Sequence, residues 1–187
     1  MISMSKRICK VLMMCISTNK MSMSSNKNYM KDGIDIQWQD TCEFTFPIKG
    51  GRVIKVYDGD TITIASKLPF KIDTDTGTEE KESPLYRFSV RLNGIDAPEM
   101  KGKDVSEEEK IAAQEAQKYV ADLVLNKYIT LQNIKNEKYG RILADVYIGD
   151  IHLNDLLLKE HYAVPYDGNT KKKPESWLKY KITGEYT

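Results

Sequence analysis

The chain has 187 residues, 41% of them hydrophobic and 29% charged, with a formal net charge of +1. That length suits one domain, the apolar fraction supports a packed core, and the overall charge gives no broad positive field for holding a polyanion. Charge is unevenly spread: residues 1–31 carry six basic groups (Lys6, Arg7, Lys10, Lys20, Lys27, Lys31) and no acid, which leaves 22 of the 28 basic groups against all 27 acidic ones. Any polyanion bound by the body of the protein must therefore be held by a local cluster.

Residues 1–43 are rich in Ser, Asn, Lys and Met and show little periodicity, so we expect a basic leader without fixed structure. Its apolar run, Val11 to Ile16, is short for a secretory core and far too short to cross a bilayer, which takes about 20 apolar residues. An intracellular setting is the expectation, with a weak secretory or surface-anchoring leader as the alternative. Cys9, Cys15 and Cys42 are odd in number and lack zinc spacing, so free thiols are expected. His152 and His161 belong to no HExxH pattern and to no recognisable Ser-His-Asp arrangement.

"CEFTFPIKGGRVIKVYDGDTITIA" then reads as strands: Phe44 and Phe46 alternate with polar residues, and Gly50-Gly51 marks a turn. Residues 66–86 mix turn formers with a charge run and read as an exposed loop. "RFSVRLNGIDAPEM" is a further strand running into a loop. The clearest helix covers 106–127, with Ser106 and Glu109 as a capping box and a core stripe of Ile111, Ala112, Tyr119, Val120, Leu123 and Val124. "YITLQNI" and "ILADVYIGD" alternate as strands, with Gly149-Asp150 as a hairpin turn. Asn154 is placed to cap a short helix, and the tail from Lys171 onward is basic and weakly patterned. Short strands followed by late helices predict a mainly β, α+β fold: a small barrel with packed helices.

Three stretches carry candidate chemistry. In "KVYDGDTITI" two aspartates, Asp58 and Asp60, flank Gly59, and the pair reads either as turn decoration or as a held carboxylate. In "VRLNGIDAPEM", Arg91, Asp96 and Glu99 lie within nine residues, Asn93-Gly94 can bend the strand, and Pro98 fixes the loop. An ordinary capped loop with solvated acids is the alternative. In "EKYGRILADVY", Gly140 permits a tight turn before Arg141, whose ordinary alternative is a surface arginine. Combined, two aspartates and a carbonyl suit a hard divalent cation. A further carboxylate can orient or deprotonate water. Two arginines match phosphate oxygens bidentately. Charge that grows on a phosphodiester during attack would be stabilised by such a set.

"VYDGDTITI", "VRLNGIDAPE" and "KYGRILADVYI", in that order, resemble the staphylococcal nuclease (thermonuclease) family over roughly residues 44–166. The resemblance implies a five-stranded OB-fold-type barrel with packed helices over residues 44–187. It matches the family's calcium-binding aspartates to Asp60 and Asp96, and its carbonyl ligand to Ala97, where the best-known member has threonine. Backbone oxygen serves there, so alanine does not remove the ligand. The catalytic glutamate matches Glu99 and the phosphate-contacting arginines match Arg91 and Arg141. Ca2+ is the implied cofactor. Single-stranded DNA and RNA are the implied substrates, with duplex DNA cut less well and 3′-phosphorylated products left. On this match Asp60 is the metal carboxylate and Asp58 shapes the turn. Tyr139, Lys138 and Tyr166 are candidate substrate-binding residues. The chain departs from the family in its longer 66–86 loop, its leader, and the absence of a long helix after Pro174.

Two other readings stand beside the nuclease. One is a catalytically weak nucleic-acid-binding OB-type module, which has no need for Asp60, Asp96, Glu99, Arg91 and Arg141 all at once. The other makes the basic leader a tether to nucleic acid or an anionic membrane. The sequence marks no obligate protein partner.

Overall fold

A computed structural model describes residues 37–73 and 80–185. Most of the leader, including Cys9, Cys15 and its six basic groups, lies outside the described residues, as does the tip of the 66–86 loop. The chain divides into two units, Met1–Cys42 and Glu43–Thr187. In the first, a 3-10 turn spans Trp38–Asp40, and Cys42 is an exposed free thiol.

Among the described residues the second unit is built on ten strands. Five long ones form the frame: β1 (Gly50–Val56), β2 (Thr61–Ser66), β5 (Tyr86–Leu92), β7 (Tyr128–Asn136) and β8 (Ile142–Ile148). Short pairs complete it: β3 (Ile72–Asp73) with β4 (Glu80–Lys81), β6 (Ile95–Asp96) with β10 (Val164–Pro165), and β9 (Ile151–His152) on β8. The frame runs β5-β2-β1-β7-β8, and β8 returns to β5 in parallel, Val90 against Ile142. That closing pair turns a sheet with edges into a five-strand mixed barrel of the OB type, which leaves no open edge along the five long strands. Three helices pack on it: α1 (Glu107–Val124), α2 (Leu153–Lys159) and α3 (Trp177–Thr183).

Alternation along the strands sends Val53, Ile62, Ile64, Val90, Leu92, Ile129, Leu131, Ile142, Ala144 and Val146 inward, where they join Val120 and Val124 of α1. Burying each large member contributes about 1.5–3 kcal/mol. One irregularity bears on the site. Between Val53 and Lys55 the β1–β2 register shifts, which leaves Ile54 41% exposed and returns Val56 to the core. Such a bulge sharpens strand twist at the end that leads to the Asp58-Gly59-Asp60 turn.

Several local expectations change. Phe44 and Phe46 lie outside any strand; their rings meet edge-on at 5.5 Å, and Phe46 meets Phe88 of β5 at 6.0 Å. Gly50-Gly51 is not a turn but the start of β1, flanked by two strands. A Cβ at Gly50 would sit 2.1 Å from the Ile129 carbonyl oxygen, and one at Gly51 2.5 Å from that of Ala65. The glycines are there for close approach of backbones. The 66–86 loop has structure at its base: β3 pairs with β4, and buried Ser83 accepts a hydrogen bond from the Leu68 N–H at 2.9 Å. The tail after Lys171 forms α3, capped by Ser176, with Trp177 and Tyr180 buried.

In α1 the core face shifts. Ile111 is 49% exposed, while Ala113 and Ala116 are buried with Ala112, Val120 and Val124. Small residues face inward there because the barrel approaches closely. The capping box is half made: Ser106 accepts from the Glu109 N–H, but the Glu109 carboxylate turns to the Glu99 N–H instead. Asn154 does not cap α2. It lies inside the helix, buried, with its Oδ1 accepting from the Val146 N–H and its amide donating to the carbonyls of Asn93 and Ala144. A polar bolt that joins three segments is the stronger use of a fully satisfied buried amide.

Candidate active site

The turn between β1 and β2 opens the site. The N–H groups of Tyr57 and Asp58 donate to the Thr61 carbonyl, and the Asp60 N–H donates to the Asp58 carboxylate at 3.2 Å. Asp58 thus shapes the turn from within, as an aspartate does in an Asx turn. Gly59 is required by space: a Cβ would stand 2.8 Å from that of Ala97 and 3.0 Å from that of Ala116. The turn is therefore wedged between the Asp96-Ala97 loop and α1, and Asp60 is carried inward.

Asp60 is 3% exposed and Asp96 2% exposed. Two buried carboxylates demand compensation, and Arg91 of β5 gives it to both. Its Nη1 donates to Asp60 Oδ1 at 2.6 Å and its Nη2 to Asp96 Oδ1 at 2.8 Å. Asp60 also accepts from Thr61 Oγ1 at 2.8 Å and from the Ala97 N–H at 3.1 Å. The bend at Asn93-Gly94, with Gly94 at φ 77°, reverses the chain so that Asp96 comes back to Arg91. Burial works against the Arg91 charge, but the Asp60 and Asp96 carboxylates outweigh it and hold the guanidinium above its ordinary range. Asp58 responds oppositely: burial, then the neighbouring Asp60 charge, push its carboxyl up to about 7.

The opposite wall comes from the β7–β8 turn. Gly140 takes φ 76° and the Glu137 N–H donates to the Arg141 carbonyl, closing the turn the sequence predicts. Glu137 grips Arg141 in two places, from Nε at 3.1 Å and Nη2 at 3.2 Å, and that hydrogen bonding lowers the Glu137 carboxyl below its usual range. The Tyr139 ring lies 5.9 Å from the Arg141 guanidinium, and the Tyr166 ring 5.9 Å from that of Arg91. Lys138 stands 5.1 Å over Tyr139.

Between these walls is a cleft of about 370 Å³. Asp60, Arg91, Ala97, Glu99, Lys138, Tyr139, Arg141 and Tyr166 all line it, and Asp96 lies beneath Arg91. So the structure brings together every residue the sequence singled out, from four separate stretches. Neither histidine lines the cleft. Sequence reasoning missed Glu137, Tyr57 and Lys171, which also line it. Glu137 was legible as the acid four positions before Arg141; Lys171 was hidden in a run of three lysines.

A metal ion is implied by the resemblance, and the donors agree with one in kind. Asp60, Asp96 and backbone carbonyls offer hard oxygen, the preference of calcium and magnesium. In number they fall short: among the described residues no three His, Cys, Asp or Glu side chains gather as a metal cluster. Asp60 and Asp96 fit as the protein's carboxylate ligands, with carbonyl, water or substrate oxygen needed for the rest.

Barrel and cleft together define the class: an OB-type domain with an acid-and-arginine cleft at its rim. Residues 89–181 match the family described as staphylococcal nuclease homologue, and the chain carries a domain of that family. The match starts inside β5, so Asp60 lies upstream of it. Relatives include an uncharacterised protein of Bacillus anthracis, 30% identical over 67% of this chain and 52% of its own. A probable endonuclease of Podospora anserina is 28% identical over 57% of this chain and 41% of its own. An uncharacterised endonuclease of Haemophilus influenzae is 30% identical over 62% and 51%. The chain thus spans about half the length of the curated relatives it matches.

Proposed function

We propose that the protein is a calcium-dependent endonuclease, a phosphodiesterase that hydrolyses single-stranded DNA and RNA, and duplex DNA less well, to 3′-phosphorylated products. One observation carries the reading: a single guanidinium, Arg91, clamps buried Asp60 and Asp96 in a cleft that Glu99 and Arg141 also line. A module that only bound nucleic acid would gain nothing from two buried carboxylates beneath a polyanion site. The endonuclease names of relatives in Podospora anserina and Haemophilus influenzae support the same reading.

In this reading residues 44–187 form the catalytic domain and residues 1–43 a basic leader. Asp60, Asp96 and the Ala97 carbonyl hold the cation. When bound, calcium supplies positive charge opposite the phosphate oxygens. Glu99 accepts the proton of the attacking water, and its side chain is 39% exposed, within reach of solvent. Arg91 and Arg141 face the charge that grows on the phosphoryl oxygens. Tyr139 and Tyr166 offer faces for bases, a mode of binding indifferent to sequence, while Lys138 meets the backbone.

The test incubates the purified protein with single-stranded DNA and with RNA, with calcium in one arm and chelator in the other. Calcium-dependent cleavage that leaves 3′-phosphate ends is expected. A folded protein that binds single strands yet cuts none with calcium, magnesium or manganese would be a binding module instead.

A further inference from the structure

Lys171 stands where the reading above needs a cation. Its Nζ lies 2.8 Å from Asp96 Oδ1 and 2.5 Å from Glu99 Oε1, bridging the proposed metal carboxylate and the proposed base. Burial disfavours its charge, yet the hydrogen bonds and charges of Asp96 and Glu99 hold the ammonium above its ordinary range.

This is not a loose surface lysine that found an acid. The segment carrying it is fastened on both sides. Before it, the Tyr166 N–H donates to the Gly94 carbonyl at 2.9 Å, and the Tyr166 hydroxyl donates to the Asn169 carbonyl at 3.2 Å. After it, Lys173 pairs with Glu109 at 2.7 Å, and Ser176 donates to Glu108 at 2.6 Å. Glu109 also accepts from the Glu99 N–H at 3.1 Å, so one carboxylate positions both the strap and the base. Between those anchors Lys171 is aimed into the cleft.

We propose that Lys171 is a built-in counter-ion that keeps the place of the divalent cation beside Asp96 and Glu99, and that the cation must displace it to bind. The inference rests on the metal-dependent reading. Its physical basis is exclusion. A calcium ligand distance is about 2.3–2.6 Å, so a dication on Asp96 and an ammonium on the same oxygen would be crowded like charges. Of the two cations on Asp96, Lys171 is the one that yields. Its side chain is 37% exposed, whereas that of Arg91 is 13% exposed and bound to both aspartates. The lysine stem is flexible, so it can swing out while the anchors at Tyr166, Lys173 and Ser176 stay in place.

Calcium chloride is titrated calorimetrically into the full chain as wild type, Lys171→Met, Lys171→Gln and Lys179→Met. Lys179, 68% exposed on α3, controls for the loss of one positive charge anywhere on the surface. Removing the competitor is expected to tighten calcium binding about tenfold in both Lys171 variants and to enlarge the calcium-induced rise in Tm. Lys179→Met is expected to match wild type. Unchanged or weaker affinity in the Lys171 variants, or an equal gain in Lys179→Met, overturns the inference. So does failure of every variant to take up calcium. The nuclease reading is judged apart from this, by cleavage with and without chelator.

Discussion

The two cleft arginines make an instructive pair. Arg91 sits one residue from the end of β5, 13% exposed, and neutralises two buried aspartates. Arg141 sits at the mouth, 29% exposed, and answers to one carboxylate four residues away. The same side chain therefore serves two different ends. At Arg91 folding and chemistry are fused, because the aspartates cannot be buried without it. At Arg141 the local turn keeps the guanidinium oriented but the barrel does not depend on it.

Mutations can break that contrast. Arg91→Ala leaves Asp60 buried without a cation and Asp96 with Lys171 alone, and removing one partner of such a buried pair costs about 3–5 kcal/mol. Cleavage and cooperative unfolding are both expected to collapse; a normal urea midpoint would dissolve the distinction. Glu99→Gln is expected to lower turnover by about 10²–10⁴-fold while the melting curve stays put, since its backbone tie to Glu109 survives. Near-normal turnover removes Glu99 from the base role. Arg141→Ala is expected to reduce kcat by about 10²–10³-fold, with less than about 1 kcal/mol lost in stability. An effect confined to KM would make it a docking residue only. Smallest of all, Tyr139→Ala is expected to weaken single-strand binding by about 1–3 kcal/mol, read by fluorescence anisotropy, with kcat retained.

The legible part of the molecule was its short-range pattern. Alternation located β7 and β8, the Gly149-Asp150 turn was read correctly, and Ser106 did cap α1. What the sequence could not reveal was competition between partners. Glu109 had a local partner by spacing, yet it serves Glu99 and Lys173, the latter 64 residues away. Asn154 looked like a cap and became a buried bolt, because its amide bonds backbone groups of Val146, Asn93 and Ala144, none of them near it in the helix. Gly50-Gly51 read as a turn because a strand crowded on both sides leaves no local trace. Within the site, Asp60, Arg91, Asp96, Glu99 and Arg141 were found through motif order, while Lys171 reaches Glu99 across 72 residues and has no motif to announce it.

The parallel seam between β5 and β8 has a kinetic meaning. It pairs Val90 with Ile142 and Arg91 with Leu143, and so it is the contact that brings both arginines to one cleft. Closing a loop of that length is entropically slow compared with forming a hairpin. A chain that has made its hairpins and its first helix still has its guanidiniums on strands that have not met. The cleft can exist only once the cylinder has shut, so the return of the proposed cleavage during refolding would be a clock for that last event, not for the collapse that precedes it.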